Sequence, residues 1–397
     1  MEPDAAAAAT HPFLGRAFRP FFLLGCAYAA LLVLLWTAMW RGALPSPAWL
    51  TPPWWHAHEM LFGFVAAAIA GFLLTAAPVW TGRPALSGAP LAALVALWAA
   101  GRAVMFAAGS LPPAVVAIVD GAFLPAVALV ATRTVWRTGQ PRNYGIAALV
   151  ALLAATNLFV HAQALGLSHI AAARGLRCAI DLAVALIVVI GGRITPAFTN
   201  NAFLRAGIEA NVRSWRWLDR AAVASAALLV LADLVAPRTF VSGGVAAVAA
   251  LAVAARLAGW QSLRTWRDPL VWSLHAGMAW VVVGYAIVAL GDLGAGIAPN
   301  AGVHALTAGA MGAMIMAVVT RVSLGHTGRP LVLPDGVVSA YGLVHAGAVL
   351  RVGAAVLTGA ASVLLLVGGL AWAAAFAVFV AKYAAILVSP RADGKPG

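Results

Sequence analysis

The chain has 397 residues, 63% hydrophobic and only 9% charged, with a formal net charge of +13. Soluble globular proteins carry about 25% charged residues, so the composition excludes a soluble enzyme and leaves a polytopic membrane protein. The positive charge would suit nucleic acid, but in a membrane protein it collects in cytoplasmic loops, and no other feature points to nucleic acid.

Residues 1–10 are alanine-rich and slightly acidic, with no cleavable signal, and the first apolar run is long enough to be an anchor. Runs of about 20 apolar residues, the length that spans a hydrocarbon core, recur along nearly the whole chain. They predict an all-α fold of twelve transmembrane helices, at about 18–40, 55–79, 89–109, 113–134, 143–164, 169–191, 218–236, 240–258, 269–291, 301–322, 336–358 and 361–388. The connections near 110, 237 and 359 are short. One integral membrane domain covers 1–397. Outside the bilayer it leaves an N-terminal segment over 1–17, a basic loop over 192–217 and a tail over 389–397. With the N-terminus in the cytoplasm, inside segments collect nineteen Arg and Lys and outside segments four, namely Arg41, Arg174, Arg177 and Arg238. That asymmetry predicts that both termini are cytoplasmic.

The most informative stretch is 54–84, WWHAHEMLFGFVAAAIAGFLLTAAPVWTGRP. It places His56, His58, Glu59 and Met60 at the mouth of an apolar helix closed by Thr81-Gly82-Arg83-Pro84. The pattern recurs from His304, in HALTAGAMGAMIMAVVTRVSLGHTGRP, which closes on Thr327-Gly328-Arg329-Pro330. The histidines, the glycines five residues later (Gly63 and Gly309) and the TGRP strings are all 246 positions apart. Pro20 and Pro269, and Arg102 and Arg351, are 249 apart. An internal repeat therefore relates helices 1–3 to helices 9–11.

Histidine, arginine and carboxylate are expensive at membrane depth and mark function by default. His58 and His304 are equivalent by the repeat, and neutral imidazole suits haem iron and copper. The plain structural reading is that both are interfacial and bonded to loop carbonyls. His56, two residues before His58, points nearly the opposite way on a regular helix. It shares a site with His58 only if the helix begins between them; otherwise each serves a different centre. Glu59 is a second-shell partner for an imidazole, a proton-path group or an ion-paired residue. Arg102 and Arg351 each need an anion. A haem propionate would serve, and so would Asp120, Asp181, Asp233 or Asp292. His275 and His345, both followed by Ala-Gly, lie in inner halves of helices and form either a second centre or polar caps. His326 stands in the polar context RVSLGHTGRP, while His161, His169 and His11 lie nearer the surface. Candidate metal ligands are therefore His56, His58, His275, His304, His326 and His345.

Cys26 and Cys178 sit inside apolar runs, which disfavours a disulfide, and no C-x-x-C-H is present for covalent haem attachment. No P-loop, C-x-x-C pair or strand-borne G-x-G-x-x-G occurs.

The runs W-H-x-H-E-M-x-F-G (from Trp55), W-S-L-H-A-G (from Trp272), G-G-R-I-T-P-A-F-T (from Gly191) and R-V-S-L-G-H-T-G-R-P (from Arg321) resemble the NnrS family. The resemblance runs from His11 to about residue 388. It implies a twelve-helix protein of the bacterial inner membrane that carries haem, non-covalent and b-type, together with copper. It implies a role in denitrification or in tolerance of nitric oxide, with nitric oxide or another small diatomic as the ligand. It assigns no ligand set, turnover or electron donor. At fold level, the twelve-helix subunit of haem–copper oxidases is similar, with three four-helix arcs and histidine ligands on helices two, six and ten. Here helix six carries Cys178 and Asp181 but no internal histidine, and fold likeness does not establish function. The competing expectation is a proton- or ion-coupled transporter using Glu59, Arg102 and Arg351. A third is a regulatory protein whose basic loop binds a partner.

Overall fold

Inside a bilayer every backbone N–H and C=O must pair within its own segment, so the apolar runs fold as helices. The computed structural model describes residues 11–136 and 143–395. Among these residues the chain forms twelve long helices and no strand: α1 (Phe18–Trp40), α2 (Pro52–Thr81), α3 (Gly88–Phe106), α4 (Pro113–Trp136), α5 (Tyr144–Ala164), α6 (Ala171–Arg205), α7 (Arg216–Val235), α8 (Phe240–Gly259), α9 (Pro269–Asp292), α10 (Pro299–His326), α11 (Val337–Val356) and α12 (Ala361–Val388). Eleven are long and apolar enough to cross a membrane. The remaining helix, α7, has 20 residues and carries its charges at its ends, with both acids paired: Asp219 with Arg256 at 2.8 Å and Asp233 with Arg177 at 2.6 Å. Arg137 and Arg142, residues 1–10 of the expected N-terminal segment and residues 396–397 of the tail lie outside the described residues.

The short connections all interrupt helices. Pro112-Pro113 starts α4, Arg238 adopts φ +58° in the α7–α8 turn, and a 3-10 turn at Thr358–Ala360 precedes α12. The expected loop over 192–217 differs. Helix α6 continues past Gly191, where the apolar run ends, to Arg205, leaving only 206–215 between α6 and α7. The switch to polar residues after Gly191 marks where the helix leaves an apolar surrounding, not where the backbone stops being helical. Pro196 removes one N–H from the ladder without ending it.

Helices α2, α6 and α10 form the centre. Of their apolar windows 67–72% is buried, against 33–50% in the other eight apolar helices. The outer helices close a ring, with α4 packed on α5, α8 on α9 and α12 back on α1. Small residues allow the close approach; a Cβ at Gly71 would meet the Phe22 ring at 2.7 Å.

The repeat is visible in the backbone. A seven-residue π-helical segment follows His58 (Glu59–Val65), and another follows His304 (Ala305–Met311), again 246 positions on. Both TGRP strings stop their helices with a left-handed glycine, Gly82 at φ +67° and Gly328 at φ +70°. The Thr81 and Thr327 hydroxyls donate to the carbonyls of Ala77 and Ser323, at 2.7 and 2.6 Å. Thr199 does the same to Thr195 on α6, at 2.8 Å.

A third, more diverged copy thus sits in the middle of the chain. Helices α2, α6 and α10 line one apolar cavity. Val65, Ala68, Ile69, Phe72 and Leu73 line it from α2. Positions 183, 186, 187, 190 and 191 on α6, each 118 further on, line it too, with Ile194 in addition, and those on α10 are 311, 314, 315, 318 and 319, each 246 further on. Three helices of the same direction present the same face at the same depth to a common axis.

Candidate functional site

Pro52 and Pro53 start α2, their missing N–H groups falling where the first turn has no partners to offer. His56 and His58 both lie on this first stretch, so their side chains diverge and enter different clusters. The π segment that follows re-aims the next residues. Such segments are rare and frequent at functional sites. Each is held from outside by an indole N–H, Trp98 to the Gly63 carbonyl at 2.9 Å and Trp372 to the Ala308 carbonyl at 3.1 Å.

The first cluster surrounds His58. Its Nδ1 lies 3.0 Å from Glu59 Oε1, and its Nε2 lies 2.9 Å from Asn157 Oδ1 and 3.2 Å from Asp120 Oδ2. His161 Nε2 reaches the same Asp120 oxygen at 2.8 Å, and Asn157 Nδ2 donates to it at 2.9 Å. Arg102 spans both carboxylates, donating to Glu59 Oε1 at 2.5 Å and to Asp120 Oδ1. Tyr28 donates its hydroxyl proton to Glu59 Oε2. Trp49 covers both imidazoles edge-on, 5.0 Å from His58 and 5.6 Å from His161. Every one of the charged and imidazole groups is buried, with Arg102 the most exposed at 6%.

The charges decide what this cluster can do. Glu59 and Asp120 bring two negative charges and Arg102 one positive, so the buried set is short of one positive charge. An uncompensated buried charge costs several kcal/mol. One proton on the imidazoles supplies it, and so does one cation held by His58, Asp120 and His161, whose ligand atoms all lie within 4.8 Å of one another.

The second cluster surrounds His304 and takes in His56. The His56 ring stacks on Trp36, centroids 4.5 Å apart and planes 8° from parallel, and its buried Nδ1 has no hydrogen-bond partner. His304 Nδ1 donates to the Asn300 carbonyl at 2.6 Å, which leaves the lone pair on Nε2. Arg351 is the cation that faces both rings. Among the described residues no carboxylate pairs with it.

The remaining histidines stand apart from these clusters. His275 is buried, its Nε2 2.8 Å from the Thr199 hydroxyl and its Nδ1 2.9 Å from the Ser262 hydroxyl, so both nitrogens are engaged. His345 Nδ1 accepts from the Trp280 indole at 2.9 Å, which places its proton on Nε2. His326 is half-buried against the Phe18 ring at the far end of α10. His58 and His304, equivalent in the repeat, belong to separate clusters.

Asp120, one possible anion for an arginine by sequence, is shared by Arg102, His161 and Asn157, and His161, expected nearer the surface, is 1% exposed. Asn157 joins them although no motif marks it. The available signal was the pair Asn157 and His161, four residues apart and so on one face of an otherwise apolar helix.

Fold and site together define a multi-pass, all-helical membrane protein with ligand-type side chains buried at one end of its bundle. The family model described as NnrS protein matches residues 12–391. The chain belongs to the NnrS family. No curated protein matches it.

Proposed function

We propose that this protein binds haem and copper in the bacterial inner membrane and acts in the response to nitric oxide, within denitrification or nitrosative-stress tolerance. The observation that carries the reading is the convergence of two buried imidazoles and a carboxylate, His58, His161 and Asp120, in a cluster one positive charge short. That donor set fits copper, for which imidazole is a favoured ligand. Arg102, Glu59, Asn157 and Trp49 hold the three donors in place and keep water away from them. The second cluster fits haem: an imidazole whose Nε2 is free (His304), another with an unpartnered buried nitrogen (His56), and an arginine, Arg351, in need of a carboxylate such as a propionate. When bound, these metals supply an open coordination position for a diatomic ligand and a change of one electron.

Nineteen basic residues against four support cytoplasmic termini, and this orientation puts both clusters at the periplasmic side. The apolar cavity between α2, α6 and α10 supports entry of an uncharged diatomic from the lipid phase.

The test is metal analysis and absorption spectroscopy of the purified protein, reduced with dithionite and then exposed to nitric oxide. Wild type is expected to contain copper and to show a Soret band that shifts with nitric oxide. His161→Ala is expected to lose copper and keep the Soret band, and His304→Ala to lose or shift the Soret band and keep copper. A colourless, metal-free wild type from haem-replete cells would overturn the reading, and a transporter coupled through Glu59, Arg102 and Arg351 would replace it.

A further inference from the structure

A third polar cluster lies in the middle block, at the end of the bundle where α2, α6 and α10 begin, and neither candidate metal cluster uses it. Arg177 stands 118 positions after Glu59, the same shift that relates the cavity linings of α2 and α6. Its Nε donates to Asp233 Oδ2 on α7 at 2.6 Å and lies 3.6 Å from Asp181 Oδ2, one turn along α6. Both carboxylates are 0% exposed.

The arrangement leaves one carboxylate too many. Arg177 and Asp233 form a neutral, hydrogen-bonded pair. Asp181 then has no hydrogen bond to either of its oxygens. The Tyr285 hydroxyl on α9 faces the same groups, is fully buried and is also without a partner. A buried carboxylate with neither hydrogen bond nor a cation of its own is among the costliest arrangements in a protein. One added proton removes the excess charge and gives the group a donor.

Water can come close. A polar recess at this end of the bundle is lined by Arg177, Arg238, Asp292 and Pro299, among others. Arg177 therefore touches the recess with one part of its side chain and the buried carboxylates with another. The other titratable groups facing Asp181 are Asp292, bound to the Ser242 hydroxyl at 2.8 Å, and the Cys178 thiol.

We propose that Asp181, sharing Arg177 with Asp233, is a proton-binding site that exchanges with water in this recess. A proton passes from water to the Asp181 carboxylate and returns by the same route, with Arg177 and Asp233 remaining an ion pair throughout. The site needs neither haem nor copper and stands independently of the function proposed above.

The experiment uses the full chain reconstituted in phosphatidylcholine vesicles and dicyclohexylcarbodiimide, an apolar reagent that adds to protonated carboxylic acids. Peptide mass mapping locates and quantifies the adduct across pH. Labelling at Asp181 is expected, and it should fall as pH rises and the proton is lost. Asp181→Asn should abolish it. In Asp233→Asn the guanidinium has Asp181 as its sole carboxylate within ion-pair distance, which holds it ionised, so labelling should fall by about tenfold or more. Absence of label at Asp181 at every pH would overturn the proposal. So would labelling insensitive to pH, or labelling unchanged in Asp233→Asn. The wild-type pH profile decides the matter even if a variant fails to fold.

Discussion

The cluster around His58 and the cluster around His304 are built on one plan and end in opposite electrostatic states. Each has a histidine at the start of a central helix, a π segment directly after it, a glycine in that segment, and an arginine from the next helix. In the first copy Glu59 follows the histidine and Asp120 approaches from α4. In the second, Ala305 replaces the glutamate, and α12, the counterpart of α4, has no acidic residue. Arg102 therefore bridges two carboxylates, while Arg351 faces two imidazoles and, among the described residues, no carboxylate. The same backbone yields one cluster with an excess of negative charge, suited to a cation, and one with an unmatched positive charge, suited to an anionic group. The repeat supplies the geometry, and the acids at 59 and 120, which the second copy lacks, divide the chemistry.

The comparison breaks most severely at Asp120. Asp120→Ala takes acceptors from Arg102, His161 and Asn157 at once, and each buried donor left unpaired costs about 1–3 kcal/mol. A large loss of thermal stability in detergent is expected. Arg351→Ala, which breaks no ion pair, should cost much less by the same assay. Equal losses would show that the two clusters are not in different states.

Ala305→Glu sharpens the comparison by giving the second copy the acid of the first. The new carboxylate should pair with Arg351 and compete with any bound propionate. The expected result is loss of the Soret band with copper content kept, read by absorption and metal analysis. An unchanged spectrum would separate Arg351 from haem binding.

The glycines of the π segments come next. A Cβ at Gly63 would meet the Tyr28 ring at 2.8 Å and an Arg102 nitrogen at 2.9 Å, and one at Gly309 would meet the Trp280 indole at 2.5 Å. Overpacking costs about 1–3 kcal/mol. Gly63→Ala should also disturb the His58 cluster through Arg102, while Gly309→Ala should act on stability alone.

The smallest effect concerns the two TGRP stops. The second is clamped by the C-terminal segment: Ala392 N–H donates to the Thr327 carbonyl at 2.9 Å, and Arg391 to the His326 carbonyl at 3.0 Å. Asp393, bonded to Arg391, is held down to about 2 by that hydrogen bond. A depressed carboxylate contributes above its unfolded pKa, near 3.8, and its contribution is lost as pH falls toward about 2. Proteolysis of the tail should accelerate in that window, and Asp393→Asn should remove the pH dependence.

The sequence by itself determined the class, the number of long helices and the repeat with its register. Hydropathy and periodicity are properties of short segments, and the bilayer converts them directly into helices. The motif strings were likewise sufficient to carry the family resemblance. What only the tertiary structure decided is which groups meet. His58 and His56 are two residues apart and part company because a helix turns about 200° between them. His58 meets Asn157 and His161 across about a hundred residues because α5, the first helix of the second block, packs against the first block. The length of α6 also escaped, since loss of hydropathy signals a change of surroundings and not the end of a helix. Helix rotation and the packing between blocks are collective outcomes of the whole bundle, and no local stretch of the chain encodes them.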